Sequence, residues 1–170
     1  MRHYFASAAL CISLLTGLSA ADAAAPAAVT AVEVKSVIDS CTFEVINNKK
    51  TDQVRLLNLT PPLANTLPEK KRCEELAADR DLRLELPGKT VYLEFDSEQR
   101  DENGRLLAYM WLAKPETGSL SEIAKKMLNA KLLLYGYAEW SPKPASQKYI
   151  GELLSMETSA YFGERGIWEK

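Results

Sequence analysis

Apolar and polar positions alternate over much of the first half of this chain, and the period changes in the second. Ala31 to Asp39 reads as a strand, Thr42 to Ile46 as a second, and Asn47-Asn48-Lys49-Lys50 as a tight turn between that strand and the next. Gln53 to Leu59 is a third strand, stopped by Pro61-Pro62. A helix is expected from Thr66, where Glu69 three residues on completes a capping box and Pro68 suits the first turn. Its end is open, because Leu82-Arg83-Leu84-Glu85-Leu86 alternates like a strand before Pro87-Gly88 breaks the pattern. Val91 to Phe95 and Leu106 to Leu112 are the fourth and fifth strands, separated by a highly charged loop from Asp96 to Gly104.

Beyond them the spacing becomes helical. Ser119 and Glu122 form a second capping box, followed by the stripe Leu120, Ile123, Ala124, Met127 and Leu128. Leu132 to Tyr137 reads as a short extended segment, Ser141 to Pro144 as a loop, and about Ser146 to Phe162 as a third helix ending near Gly163 and Gly166. Five short strands with a helix after the third and further helices at the end predict a small closed barrel of the OB type, an α+β fold with about three helices.

The N-terminus has the pattern of an export signal: Arg2, an apolar core from Tyr4 to Leu18, and the small-residue site Ala21-Asp22-Ala23. The expected organisation is a signal over residues 1–23, an Ala/Pro-rich leader over 24–30, and one domain over 31–170. No segment after the signal is long and apolar enough to cross a membrane, so the protein is expected in the periplasm or outside the cell. Processing would remove one basic and one acidic residue and leave the net charge at −2. It would also remove His3, the one histidine, which excludes histidine-dependent hydrolysis and histidine metal ligation in the mature chain. Cys41 and Cys73 would remain, and a disulfide between them is one expectation for an exported protein. Two cysteines are too few for a structural zinc site.

Several short stretches, taken in order, carry a resemblance. They are Val37-Ile38-Asp39 with Thr42, Arg55-Leu56-Leu57, Phe95-Asp96 with Gln99-Arg100, Gly104-Arg105 with Leu107-Ala108-Tyr109, Tyr135 and Tyr137, and Gly166-Ile167-Trp168. From about Ala31 to Trp168 the chain resembles the staphylococcal nuclease (thermonuclease) family. The resemblance implies an OB-type barrel and calcium-dependent hydrolysis of phosphodiesters in DNA and RNA. It assigns Arg55 and Arg105 to bracing the phosphate, for which a planar, permanently charged guanidinium is suited. It assigns Tyr135 and Tyr137 to a nucleotide pocket.

The carboxylates do not carry over. The family's Ile-Asp-Gly-Asp-Thr stands here as Ile38-Asp39-Ser40-Cys41-Thr42, so a calcium-binding aspartate is Cys41. The family's Asp-Thr-Pro-Glu stands as Thr60-Pro61-Pro62-Leu63, which makes the other calcium aspartate Thr60 and the general base Leu63. Shifting by one residue puts Leu59 and Pro62 there instead. Asn103 takes the place of a further phosphate-contacting tyrosine. A thiol and a hydroxyl are poor ligands for a hard cation, and leucine accepts no proton.

The leading expectation is therefore an exported, monomeric nuclease-family protein without efficient calcium-dependent cleavage, keeping an arginine-lined site for a nucleotide or phosphate. A net negative charge weakens any general attraction to nucleic acid. Two alternatives stand beside it. One is an active nuclease in which Asp39, Glu44 or Asp96 takes over the calcium ion. The other is a non-enzymatic module that binds a protein partner in the cell envelope. Arg55 and Arg105 have a plainer reading too, as barrel-end arginines paired with Asp39, Glu44 or Asp96.

Overall fold

A computed structural model describes residues 28–62, 79–142, 146 and 148–170. Five strands close a barrel: β1 (Thr30–Asp39), β2 (Thr42–Asn47), β3 (Lys50–Leu56), β5 (Thr90–Glu94) and β6 (Leu106–Trp111), in the order β1-β2-β3-β6-β5. Four of the five pairings around this ring are antiparallel and β3 with β6 is parallel. This is the five-stranded OB-type barrel with added helices that the strand pattern predicts.

Local chemistry explains the turns and bends. Asn48 and Lys49 both take positive φ (49° and 67°), as a two-residue hairpin loop between β2 and β3 requires. β1 carries two register irregularities against β2, between Val34 and Ser36 and between Val37 and Asp39. Such bulges bend a strand. With them β1 pairs β5 through Thr30–Glu33 and β2 through Glu33–Asp39, which lets the sheet close.

The barrel is filled by the alternate residues that the sequence periodicity picks out, among them Val34, Phe43, Val45, Val54, Leu56 and Leu93. β6 is buried along its whole length, because its outer face is covered by helices. Helix α1 is described over residues 79–85, so the alternation around Leu82–Leu86 belongs to a helix end rather than a strand. The helix expected to start at Thr66 otherwise lies outside the described residues.

The stripe from Leu120 to Leu128 is not one helix. It forms α2 (Leu120–Lys126) and α3 (Leu128–Leu134), broken at Met127, which turns extended (φ −87°, ψ 120°) and bridges Trp111 of β6. Helix α3 takes in Leu132 to Leu134, three of the residues expected to be extended. Gly136 (φ 70°) then turns the chain into β7 (Glu139–Trp140), which pairs with the two-residue strand β4 (Leu59–Thr60). Helix α4 (Ile150–Phe162) buries Leu153, Met156 and Ala160, and packs on α3. A short 3-10 turn, Gly166–Trp168, follows. A Cβ on Gly136 would overlap the Arg165 carbonyl, and one on Gly166 would overlap the Gly136 carbonyl, so glycine is needed at both positions. Among the described residues no helix is long and apolar enough to cross a membrane.

Candidate functional site

The parallel pairing of β3 with β6 sets Arg55 opposite Leu107. Residues two apart share one face of a strand, so Arg105 emerges on the side of Leu107 and Arg55. Both arginines accordingly line one cleft of about 350 Å³, together with Leu59, Thr60, Glu98, Asp101, Glu102 and Ser141.

Neither guanidinium is loose. Arg55 donates through Nη1 to Thr42 Oγ1 at 3.0 Å and through Nη2 to the Leu59 carbonyl at 3.2 Å. Its Nη1 also lies 3.6 Å from Asp39 Oδ1, which itself accepts the Cys41 N–H at 2.8 Å. Arg105 is held by Asp101, whose Oδ2 accepts from Nε at 2.8 Å and lies 2.7 Å from Nη2. Burial alone would raise the Asp101 pKa, but the backbone N–H and side chain of Arg105 outweigh it and hold this carboxyl below its ordinary value.

The plainer reading of the arginines is thus met for Arg55 by Asp39, while the partner of Arg105 is one that sequence reasoning missed. Glu44 and Asp96 serve elsewhere. Glu44 accepts from Ser36 Oγ at 2.8 Å and pairs with Lys35 at 3.5 Å. Asp96 accepts from Ser146 Oγ at 3.1 Å. Glu98, Asp101, Glu102 and Ser141 are cleft residues that the sequence did not single out. Asp101-Glu102-Asn103-Gly104 has the composition of an Asx-type turn, which was the one available signal.

Tyr135 and Tyr137 are not brought to this cleft. Their rings lie 6.1 Å apart and line a separate cavity of about 270 Å³ with Leu82, Leu86, Leu128 and Leu132. The reason is the helical path of Leu132–Leu134, after which β7 and Ser141 approach the cleft; Ser141 N–H donates to the Asn58 carbonyl at 2.9 Å.

The positions that the resemblance assigns to calcium do not fit a hard cation. Cys41 is fully buried and has no disulfide partner among the described residues, its Sγ 3.9 Å from Ser40 Oγ. Burial pushes its thiol up to about 12, so at neutral pH it is an uncharged, soft donor. Thr60 offers only a hydroxyl, and Asp39 is engaged by Arg55 and the Cys41 N–H. Among the described residues no three His, Cys, Asp or Glu side chains gather as a metal would need. Leu63 and Cys73 lie outside the described residues, and with Cys73 the pairing expected for Cys41.

A family model described as staphylococcal nuclease homologue matches residues 53–170, more than half of the chain. The chain belongs to this family. Among curated relatives it is 28% identical over 137 residues to the thermonuclease of Staphylococcus intermedius, covering 81% of this chain and 75% of that protein. It is 28% identical over 138 residues to the thermonuclease of Staphylococcus hyicus, covering 80% and 74%. The family match takes in Arg55 and Arg105 and begins after the β1–β2 corner that holds Asp39 and Cys41. In this nuclease-family chain, therefore, the arginine pair lies in the matched region, as do Thr60 and Leu63, and the corner that holds Asp39 and Cys41 lies before it.

Proposed function

We propose that this nuclease-family domain binds a small phosphate-bearing ligand, such as a nucleotide, at the Arg55–Arg105 cleft without efficient calcium-dependent cleavage. The observation that carries this reading is the convergence of the two guanidiniums on one cleft. The arrangement suits a single phosphate better than a long polyanion, because Glu98, Asp101 and Glu102 line the same space. Nothing in the described donor set supports a calcium-activated water, so catalysis by the family's route is not expected here. The pattern of Arg2, Tyr4–Leu18 and Ala21-Asp22-Ala23 supports an exported protein.

The test is a titration of the purified domain with a fluorescent deoxynucleotide at low salt, beside a calcium-dependent DNA digestion. Binding that weakens with salt and is lost in Arg105→Met, without calcium-stimulated cleavage, is the expected result. Cleavage that needs calcium and Arg105 would show an active nuclease instead.

A second reading, a module that binds a protein in the envelope, draws on one feature. Phe162 is 79% exposed and its ring meets that of Tyr161, which is also exposed. Aromatic side chains of this kind anchor protein interfaces. Capture of an envelope protein that is lost in Phe162→Ser but kept in Arg105→Met would favour it.

A further inference from the structure

Asp101 divides its two oxygens between two tasks. Its Oδ1 accepts the backbone N–H of Asn103 at 3.0 Å and of Arg105 at 2.9 Å, which folds the loop ahead of β6. The Gly104 N–H donates to the Asp101 carbonyl at 2.9 Å, and the Asp101 N–H to the Arg105 carbonyl at 3.0 Å, so the loop closes on itself. The other carboxylate oxygen, Oδ2, takes the Nε–Nη2 edge of the Arg105 guanidinium. A guanidinium grips a phosphate in two-pronged fashion through such an edge.

We propose that Asp101 acts as a built-in competitor for the phosphate, occupying the gripping edge of Arg105 so that a ligand must displace it. The inference rests on the cleft reading above and names what limits the cleft's affinity. It makes Asp101 a specificity-determining residue: an anion that only adds charge to the cleft gains little. One that offers two oxygens to Arg105 in place of the carboxylate gains the pair. Glu98 and Glu102 line the same cleft and repel anions in general, but the ion pair is made by Asp101.

Asp101→Asn separates the two tasks. The amide oxygen still accepts from the loop N–H groups, while the NH2 that replaces Oδ2 cannot accept from Arg105. Titration with inorganic phosphate and with thymidine 5′-monophosphate, followed by calorimetry, is expected to show about tenfold tighter binding in this variant, the scale of one charge-assisted hydrogen bond. The gain should vanish in Asp101→Asn/Arg105→Met. Glu98→Gln removes the same charge from the same cleft without touching the pair, and its gain should be clearly smaller.

A gain in Glu98→Gln equal to that in Asp101→Asn would reduce the effect to general repulsion and overturn the inference while leaving the cleft reading intact. So would unchanged affinity in a folded Asp101→Asn. Failure of both wild type and variant to bind either probe at millimolar concentrations would remove the cleft reading and the inference with it. Should Asp101→Asn not fold, the wild-type protein still decides. On addition of phosphate, the nitrogen and proton resonances of Arg105 Nε–H and the carboxyl carbon of Asp101 must both move. Saturable binding with neither moving overturns the proposal.

Discussion

Arg55 Nη1 donates to Thr42 Oγ1 at 3.0 Å, across the β2–β3 pairing in which the two residues are direct partners. The same guanidinium reaches the Leu59 carbonyl, so one side chain ties β2, β3 and the start of β4 together. Arg55 is therefore both a wall of the cleft and a brace of the barrel. Arg55→Lys keeps the charge but cannot span both acceptors in one plane. It is expected to lower stability by about 2 kcal/mol, read as a reduced urea midpoint with an unchanged slope. An unaltered midpoint would show that the fork contributes nothing to the barrel.

How much of this was legible in the sequence depended on the range of the interaction. The first three strands could be read because one face of each is buried, which forces the alternation seen from Ala31 to Leu56, whereas β6 is buried on both faces. The shared cleft of Arg55 and Arg105 could be anticipated from the family resemblance. The break at Met127 could not, because it is imposed by a bridge to Trp111, sixteen positions earlier in the chain, against an uninterrupted helical stripe. The path that carries Tyr135 and Tyr137 away from this cleft was hidden for a related reason: five of the seven residues of α3, Leu132 and Leu133 among them, are buried, so the helix shows no clear period. The Asp101 clamp lay in a charged loop whose alternating signs offer several equivalent pairings, and only the folded turn selects one.

A second buried contact predicts a cost of a different origin. Glu94 is almost wholly buried and accepts from Trp111 Nε1 at 2.9 Å, from Tyr149 Oη at 3.1 Å and from Lys148 Nζ at 2.6 Å. It thereby fastens the start of α4 to β5 and β6. Lys148 is half exposed and can turn to water, whereas the Trp111 indole is fully buried. Glu94→Leu should cost about 1–3 kcal/mol, chiefly for the indole N–H left without an acceptor, and should shift the tryptophan emission. Retention of both stability and emission would mean that this network does not hold α4.

Cys41 has a testable quietness. Its thiol is out of contact with solvent, and burial pushes it up to about 12, while only the thiolate reacts with alkylating agents. At neutral pH the folded protein should resist iodoacetamide at Cys41 for hours and become labelled when denatured without reductant. Rapid labelling of the folded form would contradict the buried position. A Cys41 that stays unlabelled in denaturant until a reductant is added would place it in a disulfide with Cys73.

Glu122 supplies the pH dependence. Its carboxylate accepts from the N–H groups of Glu116, Thr117 and Gly118 at 2.8–2.9 Å, and from Lys126 Nζ at 2.7 Å, closing the loop before α2. Burial by itself would raise its pKa, but Lys126 and the loop donors prevail, and the carboxyl is held far below its ordinary value of 4.5. A depressed pKa in the folded state means that the unfolded chain takes up the proton first. The stabilisation is therefore complete above the unfolded value of 4.5 and is lost as pH falls from there through the folded value. Glu122→Gln should be less stable than wild type at neutral pH, and the difference should shrink progressively below about pH 4.5. Urea unfolding of both proteins at a series of pH values measures this directly, and a difference that stayed constant into the acid range would assign the effect to packing instead of charge.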